Sequence, residues 1–195
     1  VFDPVGLFNH ANVCLVVEPT EPVQADQFRS ALDEFVQHQG PIAGLGDDEP
    51  RLCPEQTPER GTNYELRWRL YQNQVTGTTP GMAIVYGGRE FDGCREDWGG
   101  VLLEAKGPGL LGFMDGDDFE TWWEGRAKLI AQLEGQSRDA GNRQVIWFVA
   151  EKPVADWLDA QVKLRNLGNI TVKHVAYEEP DQATIDWVKH RLGIR

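Results

Sequence analysis

The stretch Gly87–Gly109, GGREFDGCREDWGGVLLEAKGPG, decides the fold. Gly87-Gly88 reads as a tight hairpin turn, Arg89 to Asp92 as the short strand after it, and Val101 to Lys106 as the next strand. Residues i and i+2 of a strand share a face, so Glu104 and Lys106 project together while Ala105 faces the other way. With Asp92 at the end of the neighbouring strand, two carboxylates and a lysine converge. Hard cations take oxygen ligands and keep several waters, so Asp92, Glu104 and the Ala105 carbonyl suffice as the protein's share of a magnesium site, with manganese as a substitute. A cation there would polarise a phosphate and activate a water, and Lys106 would orient that water or offset the developing charge. The plainer reading is a surface strand with a solvated salt bridge.

Around this stretch the chain has 195 residues, of which 41% are hydrophobic and 26% charged, with seven Trp and eight Phe. That is room for one well-buried domain with a small appended unit, and it excludes disorder throughout. The longest apolar run, Val145 to Ala150, is far too short to span a membrane, and no signal-peptide pattern opens the chain. The expectation is a soluble protein with no membrane insertion. Because it begins at Val1, it is expected to have been trimmed from something longer. Cys14, Cys53 and Cys94 are odd in number and widely spaced, so a reducing compartment is the default, one disulfide being left open.

The net charge of −12 argues against a binder that relies on a broad basic face. Residues 1 to 60 carry 3 basic against 11 acidic side chains, and residues 61 to 195 carry 16 against 20, so most of the acid excess lies away from the motif. Residues 1 to 60 therefore read as an acidic N-terminal extension or small subdomain that weakens DNA binding or serves another partner. It holds a strand at Ala11 to Val17 and a helix whose apolar face is Phe28, Ala31, Leu32, Phe35 and Val36. Residues 40 to 61, rich in Gly, Pro and acid, read as a linker.

From residue 61 to 195 the pattern predicts one domain. Thr62 and Glu65 form a capping box that opens a helix bearing Tyr64, Trp68 and Tyr71. Strands at Met82 to Tyr86, Arg89 to Asp92 and Val101 to Lys106 follow, then a long helix from Asp118 to Gln136 with Phe119, Trp122, Trp123, Ile130 and Leu133 turned to the core. A buried strand at Val145 to Val149, a helix at Val154 to Leu167, a strand at Ile170 to Val175 and a helix at Asp181 to Leu192 complete it. The order predicts an α/β (α+β) fold, a mixed sheet flanked by helices, antiparallel at its start and linked by helical crossovers later.

These residues resemble the restriction-endonuclease-like superfamily, whose core runs αβββαβ and whose motif is an acid followed by acid-x-lysine. More narrowly, FDG, LLEAKGPG, the preceding YQNQVTG and the later VIWFVAE are similar to the bacterial polymorphic-toxin family called restriction endonuclease fold toxin 5, from about Thr62 to Tyr177. The resemblance implies a secreted effector nuclease, often delivered by type VI secretion into the cytoplasm of a recipient bacterium. It implies DNA as substrate, a cognate immunity protein, and a secretion-system carrier or chaperone as a further partner.

On that reading Asp92, Glu104 and Lys106 are catalytic and Asp92, Glu104 and Ala105 hold the metal. Gln72 and Gln74 match the family's YQ and QVTG pattern and become substrate-binding candidates, as do Gln132 and Gln136, four apart on one helix face. Glu65 lies where the superfamily often adds an acid, although the capping box already accounts for it. Glu151 either faces a crevice or starts a helix. The loop Gly107 to Gly116 is either a lid or partner surface or an ordinary connection, and the four histidines lack metal-ligand spacing. Three alternatives stay open: a binding or immunity-type module on the same fold, an RNase, and a carboxylate-pair enzyme on sugars, in which Lys106 would have no role.

Overall fold

A computed structural model of the chain describes residues 51–60 and 65–194, all within the unit Ala43–Arg195. The expected strand at residues 11–17, the helix at residues 28–36, and Thr62 lie outside the described residues. The fold is mixed α+β. In chain order it comprises β1 (Gln56–Pro58), α1 (Leu66–Thr76), β2 (Met82–Tyr86), β3 (Arg89–Phe91), β4 (Gly93–Arg95), β5 (Val101–Lys106), β6 (Met114–Asp115) and β7 (Asp118–Phe119). It continues with α2 (Gly125–Ala140), β8 (Val145–Val149), α3 (Lys152–Leu164), β9 (Ile170–His174) and α4 (Gln182–Leu192).

The principal sheet has the order β4-β5-β8-β9, with β4 antiparallel to β5 and β5, β8 and β9 mutually parallel. Parallel neighbours need long crossovers, which α2 and α3 supply. β8 lies inside this sheet, and Val145, Trp147, Phe148 and Val149 are all buried, which is why its sequence reads as an unbroken apolar run. Leu102 from β5, Leu133 from α2 and Val154 and Leu158 from α3 pack into the same core. α4 is capped at its start, the Asp181 side chain accepting from the Thr184 backbone N–H at 2.7 Å.

A second sheet, β1-β2-β3, is wholly antiparallel. The strand expected from Arg89 to Asp92 ends at Phe91, an unexpected strand, β4, follows it, and Asp92 stands where the chain leaves one sheet for the other. Gly93 makes that passage possible: a Cβ there would sit 2.8 Å from Thr78 Oγ1 and 2.9 Å from Thr76 Cβ, so only glycine lets the strand press against the end of α1.

Other expectations are corrected. The long helix starts at Gly125, not Asp118; Phe119, Trp122 and Trp123 precede it. The aromatic run packs as a cluster instead, with Phe113 stacked on Trp123 at 4.8 Å and Phe119 edge-on to Trp157 at 4.8 Å, while Trp122 stays exposed. Trp123 folds back over Gly125, where any side chain would collide with its ring. Ring-to-ring burial here overrides helical periodicity. Glu65 does not occupy the third position of a helical turn: it is the residue before α1, its side chain does not cap the first turn, and its expected partner Thr62 lies outside the described residues.

Nor do residues 51–60 belong to a linker. β1 pairs with β2, the Glu96 carboxylate accepts from the Leu52 and Cys53 N–H groups at 2.6 and 2.7 Å, and Cys53 is disulfide-bonded to Cys94. Residues 51–60 are therefore continuous with the rest of the described chain across the expected boundary at residue 60. The Cys53–Cys94 bond is the one disulfide that the sequence left open beside its default of a reducing compartment. It closes a separation of 41 residues, and reduction is expected to cost about 2–4 kcal/mol. Thermal unfolding of the full chain with and without a thiol reductant measures this, and Cys53→Ser with Cys94→Ser should reproduce the shift.

Candidate active site

β5 carries the site. Leu102 N–H donates to Gln144 O, and Lys106 O accepts from Ala150 N–H, so the even-numbered residues of β5 exchange backbone bonds with β8. Alternation then directs the backbone groups of Ala105 to the opposite edge. There the Ala105 N–H donates to Asp92 Oδ2 at 2.7 Å. The register of β4 and β5 pairs Gly93 with Leu103, so Asp92 lies just past the end of the ladder and beside Ala105. The geometry of two strand ends thus brings the first acid to the acid-x-lysine strand.

Glu104 is buried, and donors surround its carboxylate. Oε1 accepts from Lys106 Nζ at 2.5 Å and Gln132 Nε2 at 2.6 Å, and Oε2 accepts from Gln136 Nε2 at 2.6 Å. Lys106 Nζ also donates to Gln132 Oε1 at 2.9 Å and lies over the Trp147 ring, 4.7 Å from its centroid. Asp92 Oδ1 accepts from Gln72 Nε2 at 3.1 Å. Burial, then the Glu104 charge, push the Asp92 carboxyl well above the usual carboxylate range, while Lys106 and the Ala105 N–H act in the opposite direction.

Asp92, Glu104, Ala105 and Lys106 line one cavity of about 450 Å³ together with Gln72 and Gln132. Each ionised carboxylate offers about four acceptor positions, and the donors above leave one on each Asp92 oxygen and one on Glu104 Oε2. Two neighbouring carboxylates with acceptor capacity to spare, one of them destabilised by the other's charge, suit a divalent cation, which would favour both ionised forms. Among the described residues no cluster of three or more His, Cys, Asp or Glu side chains is arranged to hold a metal, so the two carboxylates would need further oxygen ligands, which a hard cation takes from backbone carbonyls or water.

The four glutamines separate. Gln132 lines the cavity and holds both Glu104 and Lys106. Gln72 lines it too, but its amide is committed to Asp92 and, through Oε1, to Arg69 at 3.3 Å. Gln136 is fully buried, its Oε1 accepting from Trp147 Nε1 at 2.8 Å, and this corrects its assignment as a substrate-binding residue: it positions Glu104. Gln74 is not in the cavity; it donates to Ala176 O at 2.9 Å and accepts from Glu178 N–H at 3.2 Å, tying α1 to the segment after β9. Its substrate-binding assignment is corrected as well. Gln74→Ala is expected to lower stability by about 1 kcal/mol and leave activity at the cavity unchanged, checked by thermal unfolding beside a cleavage assay.

Sequence reasoning missed Glu59. It lines the cavity and is ion-paired to the buried Arg69, which also donates to Gln72, so a polar relay runs from β1 to Asp92. Burial raises the Glu59 carboxyl above its ordinary value; the Arg69 hydrogen bond and charge act against this, while Glu90 and Glu104 add to it. A strand of three residues has no periodicity to betray it. The Arg69–Gln72 pair, three apart on a helix, was the available signal.

Of the two readings of Glu151, the start of a helix is the one observed, and its side chain does something further. It precedes α3, and its carboxylate accepts from the Gly109 and Leu111 N–H groups at 3.0 and 2.8 Å. Trp68 Nε1 donates to Pro108 O at 2.6 Å, and a Cβ on Gly107 would lie 3.1 Å from Trp68. The GPG following Lys106 is therefore a clamped connection that fixes the end of β5. No protein-family model matches this chain, and no curated protein does.

Proposed function

We propose that the chain is a divalent-metal-dependent nuclease with a restriction-endonuclease-like core, cutting phosphodiester bonds in DNA as a secreted antibacterial effector. The observation that carries the reading is the convergence of Asp92, Glu104, the Ala105 backbone and Lys106 on one cavity. Magnesium bound by Asp92, Glu104 and the Ala105 carbonyl would polarise the scissile phosphate and ease deprotonation of a water.

The chain's own residues provide the rest. Gln132 and Glu104 hold the Lys106 ammonium in place, so its charge faces the cavity at no cost in reorganisation when negative charge grows on the phosphate. Gln136 and Gln132 orient the Glu104 carboxylate, and Gln72 and the Ala105 N–H orient that of Asp92. The buried Trp147 ring lies against Lys106 and adds a cation–π contact. A non-catalytic binding module would gain nothing from this arrangement, whose buried like charges oppose one another. The cytoplasm of a recipient bacterium as the place of action, a cognate immunity protein and a secretion carrier or chaperone belong to the same proposal. Among the described residues no helix is long and apolar enough to cross a membrane.

The full chain incubated with supercoiled plasmid should nick and linearise it in magnesium or manganese and fail to do so in excess chelator, with activity restored by adding metal back. A structured RNA in parallel assigns the substrate. Cleavage that persists in chelator would sink the metal-dependent reading.

A further inference from the structure

We propose that Arg89 is a phosphate-binding residue in the same cavity as Lys106, offering the outer edge of its guanidinium to a backbone phosphate of the substrate; this rests on the nuclease reading. Arg89 lies on β3, lines the cavity, and is fastened from behind: its Nε donates to Asp139 Oδ2 at 2.7 Å. Among the described residues its two terminal nitrogens have no protein partner. A guanidinium anchored through Nε keeps a parallel pair of N–H donors, the geometry that matches two oxygens of a phosphate.

The seat is built at a cost to the helix. A Cβ on Gly135, inside α2, would stand 2.5 Å from Nη2 and 2.7 Å from Cζ of Arg89, so the guanidinium lies against bare helix backbone. Glycine weakens a helix interior, and a partly exposed ion pair such as Arg89–Asp139 returns only modest stability, so stability alone does not account for the arrangement. The Arg89 side chain is 32% exposed, which leaves an open edge on a side chain already immobilised. Such a donor loses little rotamer freedom when it binds. Arg138 shares Asp139 at 2.8 Å, so that carboxylate is doubly held and does not swing away with an incoming anion. Glu90, the nearby acid on the same strand, accepts from the Arg60 N–H at 3.0 Å and is engaged there.

The test uses the full chain in a Lys106→Ala background with magnesium, so that a labelled duplex oligonucleotide stays intact. Arg89→Gln is expected to weaken binding roughly tenfold to a hundredfold and to lower the slope of log affinity against log salt by about 0.9. Gly135→Ala keeps the charge and favours the helix, but pushes the guanidinium off its seat. It should weaken binding by a smaller factor without loss of thermal stability. Titration with inorganic phosphate, parent against Arg89→Gln, is the second probe. Arg89-dependent phosphate binding with no duplex binding would uphold the subsite while the nuclease reading fell. Equal duplex and phosphate affinity in parent and Arg89→Gln would overturn the subsite, even with cleavage intact.

Discussion

Lys106→Ala is expected to lower magnesium-dependent DNA cleavage by roughly 10³-fold, the loss typical of removing a preorganised charge aimed at a transition state. The ammonium is held between Glu104 Oε1 and Gln132 Oε1 above the Trp147 ring. The fold should survive. Glu104 keeps the Gln132 and Gln136 amides as donors, and Lys106 stands at the end of β5. Asp92→Ala should abolish cleavage to a similar degree but for another reason, since it removes a ligand oxygen. The two variants separate on metal titration: Lys106→Ala should bind manganese with near-parental affinity, and Asp92→Ala should bind it at least about tenfold more weakly. Undiminished nicking by folded Lys106→Ala would remove the lysine from the chemistry.

How far the sequence disclosed this arrangement depends on the kind of signal each part carries. Asp92, Glu104 and Lys106 were legible because a strand's period of two is rigid, and Gly87-Gly88 fixed where the strands begin. The buried strand at Val145–Val149 was legible from its unbroken apolar run. Resemblance to a known motif could nominate the glutamines but could not say which way each amide turned. Gln132 and Gln136 share a helix face, yet the first reaches the cavity while the second is sealed beneath it against Trp147. Residues 118–124 were misread because Phe119 and Trp123 fit helical spacing as well as they fit an aromatic cluster. The tie between residues 51–60 and the rest was illegible: a three-residue strand, a disulfide and the Glu96 clamp are long-range contacts with no local pattern.

The buried Gln136 leads to the larger effect on stability. Its amide joins two buried groups, the Trp147 indole N–H and the Glu104 carboxylate, at 2.8 and 2.6 Å. Gln136→Met preserves volume, so no cavity forms, but the Trp147 indole N–H and Glu104 Oε2 each lose their partner, while Glu104 Oε1 keeps Lys106 and Gln132. At roughly 1–3 kcal/mol for each such group, and more where one is charged, the cost should be about 3–5 kcal/mol. Gln136→Glu is the sharper probe, because it is isosteric and its effect must depend on pH. Protonated, the new carboxyl can donate to Glu104 and accept from Trp147 as the amide does. Ionised, it faces the Glu104 charge in a site without water. Burial and that charge raise its folded-state pKa above the unfolded value of about 4.3. The folded state then binds more protons than the unfolded one across the window between the two values. Stability relative to the parent is therefore near normal below the unfolded value and falls as pH rises through the window. Denaturant unfolding of parent and variant at a series of pH values from acid to neutral measures the difference. A gap that does not widen with pH would mean that Gln136 does not link Glu104 to Trp147 in the folded protein.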